Sequence, residues 1–150
     1  MEPQRYRYTA QTRRGSIDYS YRPLIDVEIG GENKSRTFKA LVDSGTDVTV
    51  MDKVIAELLG INSINRVTAT LSGIGESKHG FIAPVSLRID KFPDRVFNFK
   101  VIFVESLSNN FDIILGQQDF FHNFDVTFHK SKIFSISCLS PNLRLCLGLP

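Results

Sequence analysis

The sequence predicts a single domain built mainly of β-strands. Its 150 residues suit one domain with a packed core. Hydrophobic residues make up 42% of the chain and charged residues 23%, a composition typical of globular proteins rather than of disordered chains. Most apolar residues recur at every second position and are separated by glycine-containing turns, as in strands with one buried face.

The first predicted hairpin precedes an acidic residue of interest. Ile25, Val27 and Ile29 alternate with polar residues, which indicates a strand with one face in the core. Turn residues at 30–33 connect it to a second strand, which ends in three consecutive apolar residues, 40–42. Because that run does not alternate, we expect this strand to be covered on both faces. Asp43 follows it directly.

The remaining elements are mostly strands, with one or two short helices. Asp52 is predicted to cap a helix that ends at Gly60, and a second helical segment is expected within 117–123. The apolar stripe of the first helix is expected to consist of Val54, Ile55, Leu58 and Leu59. Further strands are predicted over Val67–Leu71, Phe81–Ile89, Arg95–Val104 (the longest) and Phe111–Leu115, with a hairpin over Asp125–Ile136.

Charge and apolar pattern together divide the chain into three parts. Residues 1–22 form a basic N-terminal arm of net charge +3, although the whole chain carries only +2. Residues 23–136 form the predicted domain. Residues 137–150 form a C-terminal tail in which leucines alternate, as expected for an edge strand or a strand at a subunit contact. Disorder of this tail is the alternative.

Several classes of protein are not supported by the sequence. No apolar run approaches the ~20 residues of a membrane-spanning helix, and no signal peptide is recognisable, so we expect a cytoplasmic protein without a membrane partner. Cys138 and Cys146 are expected to be reduced thiols, with a short-range disulfide or redox pair as the alternative. The spacing of the three histidines matches no metal-binding motif, so we expect neither metal nor cofactor.

Asp43 is the main candidate for chemistry. It stands where a buried strand opens into a turn, with donors in reach from the Ser44 and Thr46 hydroxyls and from the backbone that Gly45 allows to approach. These donors would hold, orient and partly desolvate the carboxylate. A purely structural interpretation is an Asx turn, in which the carboxylate only closes a bend.

Three segments together resemble the retropepsins, the single-domain, retroviral-type aspartic proteases. The segment 42–46 (VDSGT) is similar to their active-site motif, 71–75 (LSGIG) to their glycine-rich flap, and 112–116 (DIILG) to their second signature. The resemblance covers roughly residues 22–136 and extends to retropepsin-like proteins of bacteria and retroelements. It implies an all-β, closed, barrel-like fold with one or two short helices, and an aspartic endopeptidase activity on peptide or protein substrates.

The resemblance also implies a homodimer. Because the motif occurs once, the second carboxyl group of the catalytic pair must be Asp43 of a second chain. Ser44, Gly45 and Thr46 would support the pair, with the Thr46 hydroxyl reaching across the two-fold axis.

The resemblance assigns substrate binding to two further segments. Gly73, Ile74 and Gly75 would form the flap over the substrate, and Ile114 and Leu115 would lie beside the active-site loop. The alternatives are an ordinary β-turn for the first segment and a pure core role for the second. Glu76 departs from the family pattern, because retropepsin flaps often have a glycine there.

A second interpretation comes from the basic arm. Cations alternate with rings in Arg5-Tyr6-Arg7-Tyr8, and Arg13-Arg14 follows, so a catalytically silent binding module associated with nucleic acid is the alternative function. The basic stretch is short and is also typical of an extra edge strand. We therefore do not expect nucleic acid as a partner.

Overall fold

The protein is built mainly of β-strands. The structure, a computed structural model, describes residues 2–12, 17–72, 77–107, 111–130 and 132–138. The strands are β1 (Gln4–Arg7), β2 (Thr9–Thr12), β3 (Tyr19–Arg22), β4 (Leu24–Gly30), β5 (Ser35–Val42), β6 (Val50–Asp52), β7 (Thr68–Ser72), β8 (Ser77–Ile89), β9 (Phe97–Val104), β10 (Ile113–Leu115), β11 (Phe124–His129) and β12 (Ile133–Cys138). A helix, α1 (Lys53–Leu59), follows β6, and a π-helical turn (Gln117–Phe121) follows β10.

The largest sheet closes on itself, which confirms the predicted barrel-like fold. Its strands run in the order β4-β5-β10-β6-β9-β8-β7, and an additional pairing between β4 and β8 completes the ring. The expectation that Arg95–Val104 is the longest strand is wrong, because β9 has 8 residues and β8 has 13. The first residues of β8, from Ser77 onward, are polar and lack the apolar alternation that predicts a strand. They are part of β8 because they pair with β7.

The position of β10 determines where the Asp43 loop lies. β10 lies between β5 and β6, two strands that are consecutive in sequence. It runs parallel to β5, with Leu115 opposite Val42, and antiparallel to β6. The chain from 43 to 49 must therefore cross over the end of β10, which brings this loop against the residues that follow Leu115.

Helix α1 has the predicted ends. The Asp52 side chain accepts a hydrogen bond from the Val54 N–H, and Gly60 ends the helix in the left-handed conformation at φ 73°. The predicted apolar stripe is partly wrong. Ile55, Ala56 and Leu59 face the core, whereas Val54 is 58% exposed and Leu58 is 37% exposed.

The N-terminal arm contributes an edge strand to a second sheet. β1 pairs antiparallel with β12, which in turn pairs with β11 as the predicted C-terminal hairpin. Tyr6 on β1 is buried and stacks on Phe134 at 5.3 Å between ring centroids. Its ring is therefore unavailable for stacking on a base, contrary to what its place in the basic arm suggested. Arg13, Arg14 and residues 139–150 of the tail lie outside the described residues.

Phenylalanines pack between the largest sheet and the sheet formed by β1, β12 and β11. Phe124 on β11 lies 4.6 Å from Phe97 of β9 and 4.8 Å from Phe120 of the π-helical turn, measured between ring centroids. Cys138 is buried beside them, and its sulfur accepts a hydrogen bond from Arg95 Nη1 at 2.9 Å. In the part of the chain that is described, no helix is long and apolar enough to cross a membrane.

Candidate active site

Asp43 begins the loop that follows β5. Its backbone N–H donates to the Leu115 carbonyl at 3.2 Å, and the N–H of Val42 before it donates to the Pro23 carbonyl at 3.0 Å. These bonds fix the backbone at the point where the chain leaves the sheet. Val42 is buried and Asp43 is half-buried, so the side chain of Asp43 stands at the boundary between core and solvent.

Both oxygens of the Asp43 carboxylate accept a hydrogen bond from the loop. The Gly45 N–H donates to Oδ1 at 2.9 Å, and the Thr46 hydroxyl donates to Oδ2 at 3.2 Å. Two of the three donor residues expected from the sequence thus contact the carboxylate. The bonds restrict rotation about the side-chain torsions, so the carboxylate is held in one orientation.

The Gly45 contact alone has the geometry of an Asx turn, in which a carboxylate accepts from the N–H two residues later. The Thr46 contact adds a second restraint that an Asx turn does not require. Within one chain this hydroxyl lies on its own Asp43, so a bond from Thr46 across a dimer axis stays a prediction.

The residues after β10 hold the loop from the other side. The N–H groups of Gln117 and Gln118, at the start of the π-helical turn, donate to the carbonyls of Thr46 and Asp47 at 2.8 and 2.9 Å. The Gln117 side chain donates to the Ser44 carbonyl at 2.7 Å. The first N–H groups of a helical turn have no acceptor within the turn itself. Here carbonyl groups of the loop that carries Asp43 accept from them.

A hydrogen bond links the half-buried Asp119 to the buried Thr49 at the end of this loop. Thr49 has no exposed surface, and its hydroxyl oxygen accepts from the Gly116 N–H at 3.1 Å. The Thr49 N–H and hydroxyl bond to the Asp119 carboxylate, the N–H at 3.2 Å. Burial raises the pKa of Asp119 above its ordinary value of 3.8, although these bonds, one from the Lys100 backbone and the charge of His122 oppose the shift.

This shift predicts how the stability depends on pH. Because the Asp119 carboxyl binds its proton more tightly in the folded chain, ionisation lowers the free energy of unfolding as pH rises from about 3.8 through the raised folded pKa. In Asp119→Asn this loss is absent. The free energy of unfolding of the wild type, minus that of Asp119→Asn, should therefore fall as pH rises through that window.

Urea denaturation at fixed protein concentration and a series of pH values measures this difference. Both proteins should carry Asp43→Asn, so that self-cleavage cannot distort the curves. A difference that stays constant or grows with pH would show that the Asp119 pKa is not raised in the fold.

The predicted substrate-binding residues differ in their surroundings. Gly73, Ile74 and Gly75 lie outside the described residues, but β7 and β8 pair up to Ser72 and Ser77 on either side of them. Ile114 is half-buried. Leu115 has no exposed surface, so its side chain belongs to the core, and its contribution to the loop is the carbonyl that holds Asp43.

Sequence reasoning missed Thr49, Gln117 and Asp119 as residues that hold the loop. Their signal is weak, because a threonine or glutamine that bonds to a backbone group looks like any polar residue in a turn. In the described ranges, no group of three or more His, Cys, Asp or Glu side chains could hold a metal ion.

Comparison with known proteins establishes the family. The family described as "Aspartyl protease" matches residues 25–118, which is more than half of the chain and includes Asp43 and the segment after β10. The chain therefore belongs to the aspartyl protease family. A comparison with curated proteins found no match.

The solved structures show the type of fold within that class. One similar structure is the EIAV protease complexed with the inhibitor HBY-793, with a TM-score of 0.50 and 16% sequence identity. The match covers 86% of this chain and 90% of the viral chain. Together with the family match, this likeness confirms the predicted retropepsin-like fold.

Proposed function

We propose that the protein is an aspartic endopeptidase in which two identical chains each supply one Asp43 carboxyl group. The observation that carries this proposal is the half-buried Asp43 carboxylate, with each oxygen held by a donor of its own loop. Residues 23–136 would form the protease domain. The motif occurs once per chain, so a pair of such groups requires a second copy of the loop.

The chemistry explains why two carboxyl groups are needed. Two adjacent carboxyl groups share one proton, because ionising both would place two negative charges at close range. The ionised Asp43 would take a proton from a bound water, whose oxygen attacks the carbonyl carbon of the peptide. The protonated Asp43 would donate a hydrogen bond to the carbonyl oxygen. The C–N bond of the tetrahedral intermediate would then break as a carboxyl proton moves to the leaving nitrogen.

The neighbouring elements support extended peptide substrates. The segment 73–75 joins two paired strands and would act as a flap that covers the peptide and excludes water. A peptide in extended conformation would add its backbone to exposed strand edges, with side chains in alternating pockets. Ile114 would contact the substrate beside the loop, whereas the buried Leu115 would only position Asp43.

Titration with a statine-type transition-state analogue tests this proposal. Such compounds place a hydroxyl where the attacking water would lie, so they bind far more tightly than a substrate of the same length. If the site is shared, tight binding should saturate at about one inhibitor for every two chains. The measurement is isothermal titration calorimetry at micromolar protein, with the Asp43→Asn protein as control.

Saturation at one inhibitor per chain would contradict the shared site. Absence of both inhibitor binding and cleavage of a peptide library from acid to neutral pH would favour the catalytically silent binding module.

A further inference from the structure

We propose that a groove beside the N-terminal strand binds single-stranded nucleic acid, a function independent of the proposed peptidase activity. The groove has a volume of about 540 Å³, within the range of ligand sites. Its lining consists of Arg7, Tyr8, Tyr21, Lys130, Lys132 and Ile133. We call this set the basic groove.

The basic groove is assembled from three separate parts of the chain. Arg7 lies opposite Ile133 in the pairing of β1 with β12, and the Tyr8 N–H donates to the Lys132 carbonyl at 2.9 Å. Tyr21 lies on β3. This strand pairs with β2, which begins at the residue after Tyr8. The fold thus brings Arg7 of the N-terminal arm beside two lysines more than a hundred positions later in the sequence.

The charges of the basic groove have one sign. Arg7, Lys130 and Lys132 are exposed, and the six lining residues include no carboxylate. Cations that line one groove with no carboxylate among the described lining residues favour a polyanion, and phosphate groups spaced along a strand can contact several of them at once.

Exposed rings distinguish this surface from a general basic patch. Tyr21 is 55% exposed, and Tyr19 on the same face of β3 is 63% exposed and packs edge-to-face against it at 5.8 Å. Tyr8 is held edge-to-face against Phe134, with 5.7 Å between the ring centroids. Rings beside cations are the means by which proteins bind unpaired bases.

These features favour a single strand over other polyanions. An acidic peptide would pair with the lysines but would offer few planar groups to the tyrosine rings. In a duplex the bases are already stacked on each other, so their faces are not available. Single-stranded RNA or DNA supplies both phosphates and free base faces.

Fluorescence anisotropy with a labelled single-stranded oligouridine tests the proposal, with the 150-residue chain at low and at moderate salt. Tyr21→Ala should weaken binding by about tenfold, whereas Tyr21→Phe, which keeps the ring, should bind like the wild type. Lys132→Glu should weaken binding and reduce the slope of log K against log salt by about one or more. Lys34→Glu, the same charge change on the exposed turn between β4 and β5, should leave binding nearly unchanged.

Melting temperature and circular dichroism show that each variant is folded. Absence of oligonucleotide binding by the wild type at low salt would overturn the proposal, as would binding that neither Tyr21→Ala nor Lys132→Glu weakens. Equal competition by polyglutamate, combined with no effect of Tyr21→Ala, would assign the groove to acidic peptides instead. Equal competition by a duplex of the same length would contradict base stacking.

Discussion

Replacing Asp43 by asparagine should lower kcat/KM for peptide cleavage by roughly three to four orders of magnitude. The amide cannot accept a proton from water or share one with its partner, so the pair loses its base and its acid together. The substitution keeps the size of the side chain, and its oxygen can still accept a bond from the Gly45 N–H. The fold should therefore be retained.

The matched control for this loss is Asp26→Asn. This substitution makes the same chemical change at an exposed position of β4. The ion pair that it removes, between Asp26 and Lys39 at 2.7 Å, contributes little to stability. Its cleavage rate should stay within about twofold of the wild type. Cleavage by Asp43→Asn at an unchanged rate would show that another group performs the reaction.

Replacing Gly116 by alanine should disrupt the site without touching the carboxylate. A Cβ at this position would lie 2.4 Å from the carbonyl carbon and oxygen of Val48 and 2.8 Å from the Thr46 carbonyl oxygen. These are backbone atoms, so the 43–49 loop must move. We expect a loss of about 1–3 kcal/mol in the free energy of unfolding and a fall of about a hundredfold in kcat/KM, since displacements near 1 Å have effects of that size.

Gly60→Ala is the control that lowers the stability of the fold without displacing the 43–49 loop. Gly60 ends α1 with φ 73°, where a Cβ is strained by about 1–2 kcal/mol, but among the described residues beyond its immediate chain neighbours none has an atom within 4 Å of the added carbon. This variant should lose similar stability and keep its activity per folded molecule. Equal activity losses in the two variants would mean that Gly116 acts only through stability.

The sequence was most informative where local patterns and tertiary structure agree. The alternation of Ile25, Val27 and Ile29 gave the correct face of β4, since every one of these side chains is buried. Asp52 and Gly60 marked the ends of α1, because capping depends on residues next to each other in the chain.

The predictions failed where distant contacts decide the outcome. Residues 77–80 lack apolar alternation, yet pairing with β7 makes them part of the longest described strand. Leu58 matches the helical period but is exposed, because the position of α1 on the barrel determines which face is covered. In the basic arm, the sequence indicated Tyr6 and Tyr8 as exposed rings. The structure buries Tyr6, whereas Tyr8 lines the groove together with Tyr21, which the sequence did not indicate.

The candidate site shows the same division. The Asp43 motif and its Gly45 and Thr46 donors are local, and the sequence predicts them directly. The link from Asp119 to Thr49 joins residues 70 positions apart and exists only because β10 lies between β5 and β6. Single-sequence patterns do not record such insertions of one strand between two others.

Subunit mixing tests most directly whether the active site is shared between two chains. A fixed amount of wild-type protein is equilibrated with a tenfold excess of Asp43→Asn chains, and cleavage of an excess of peptide is measured. If each site needs both Asp43 carboxyl groups, activity per wild-type chain should fall to about a tenth, because most wild-type chains then pair with an inactive partner. Unchanged activity per wild-type chain would show that one chain suffices and would contradict the account.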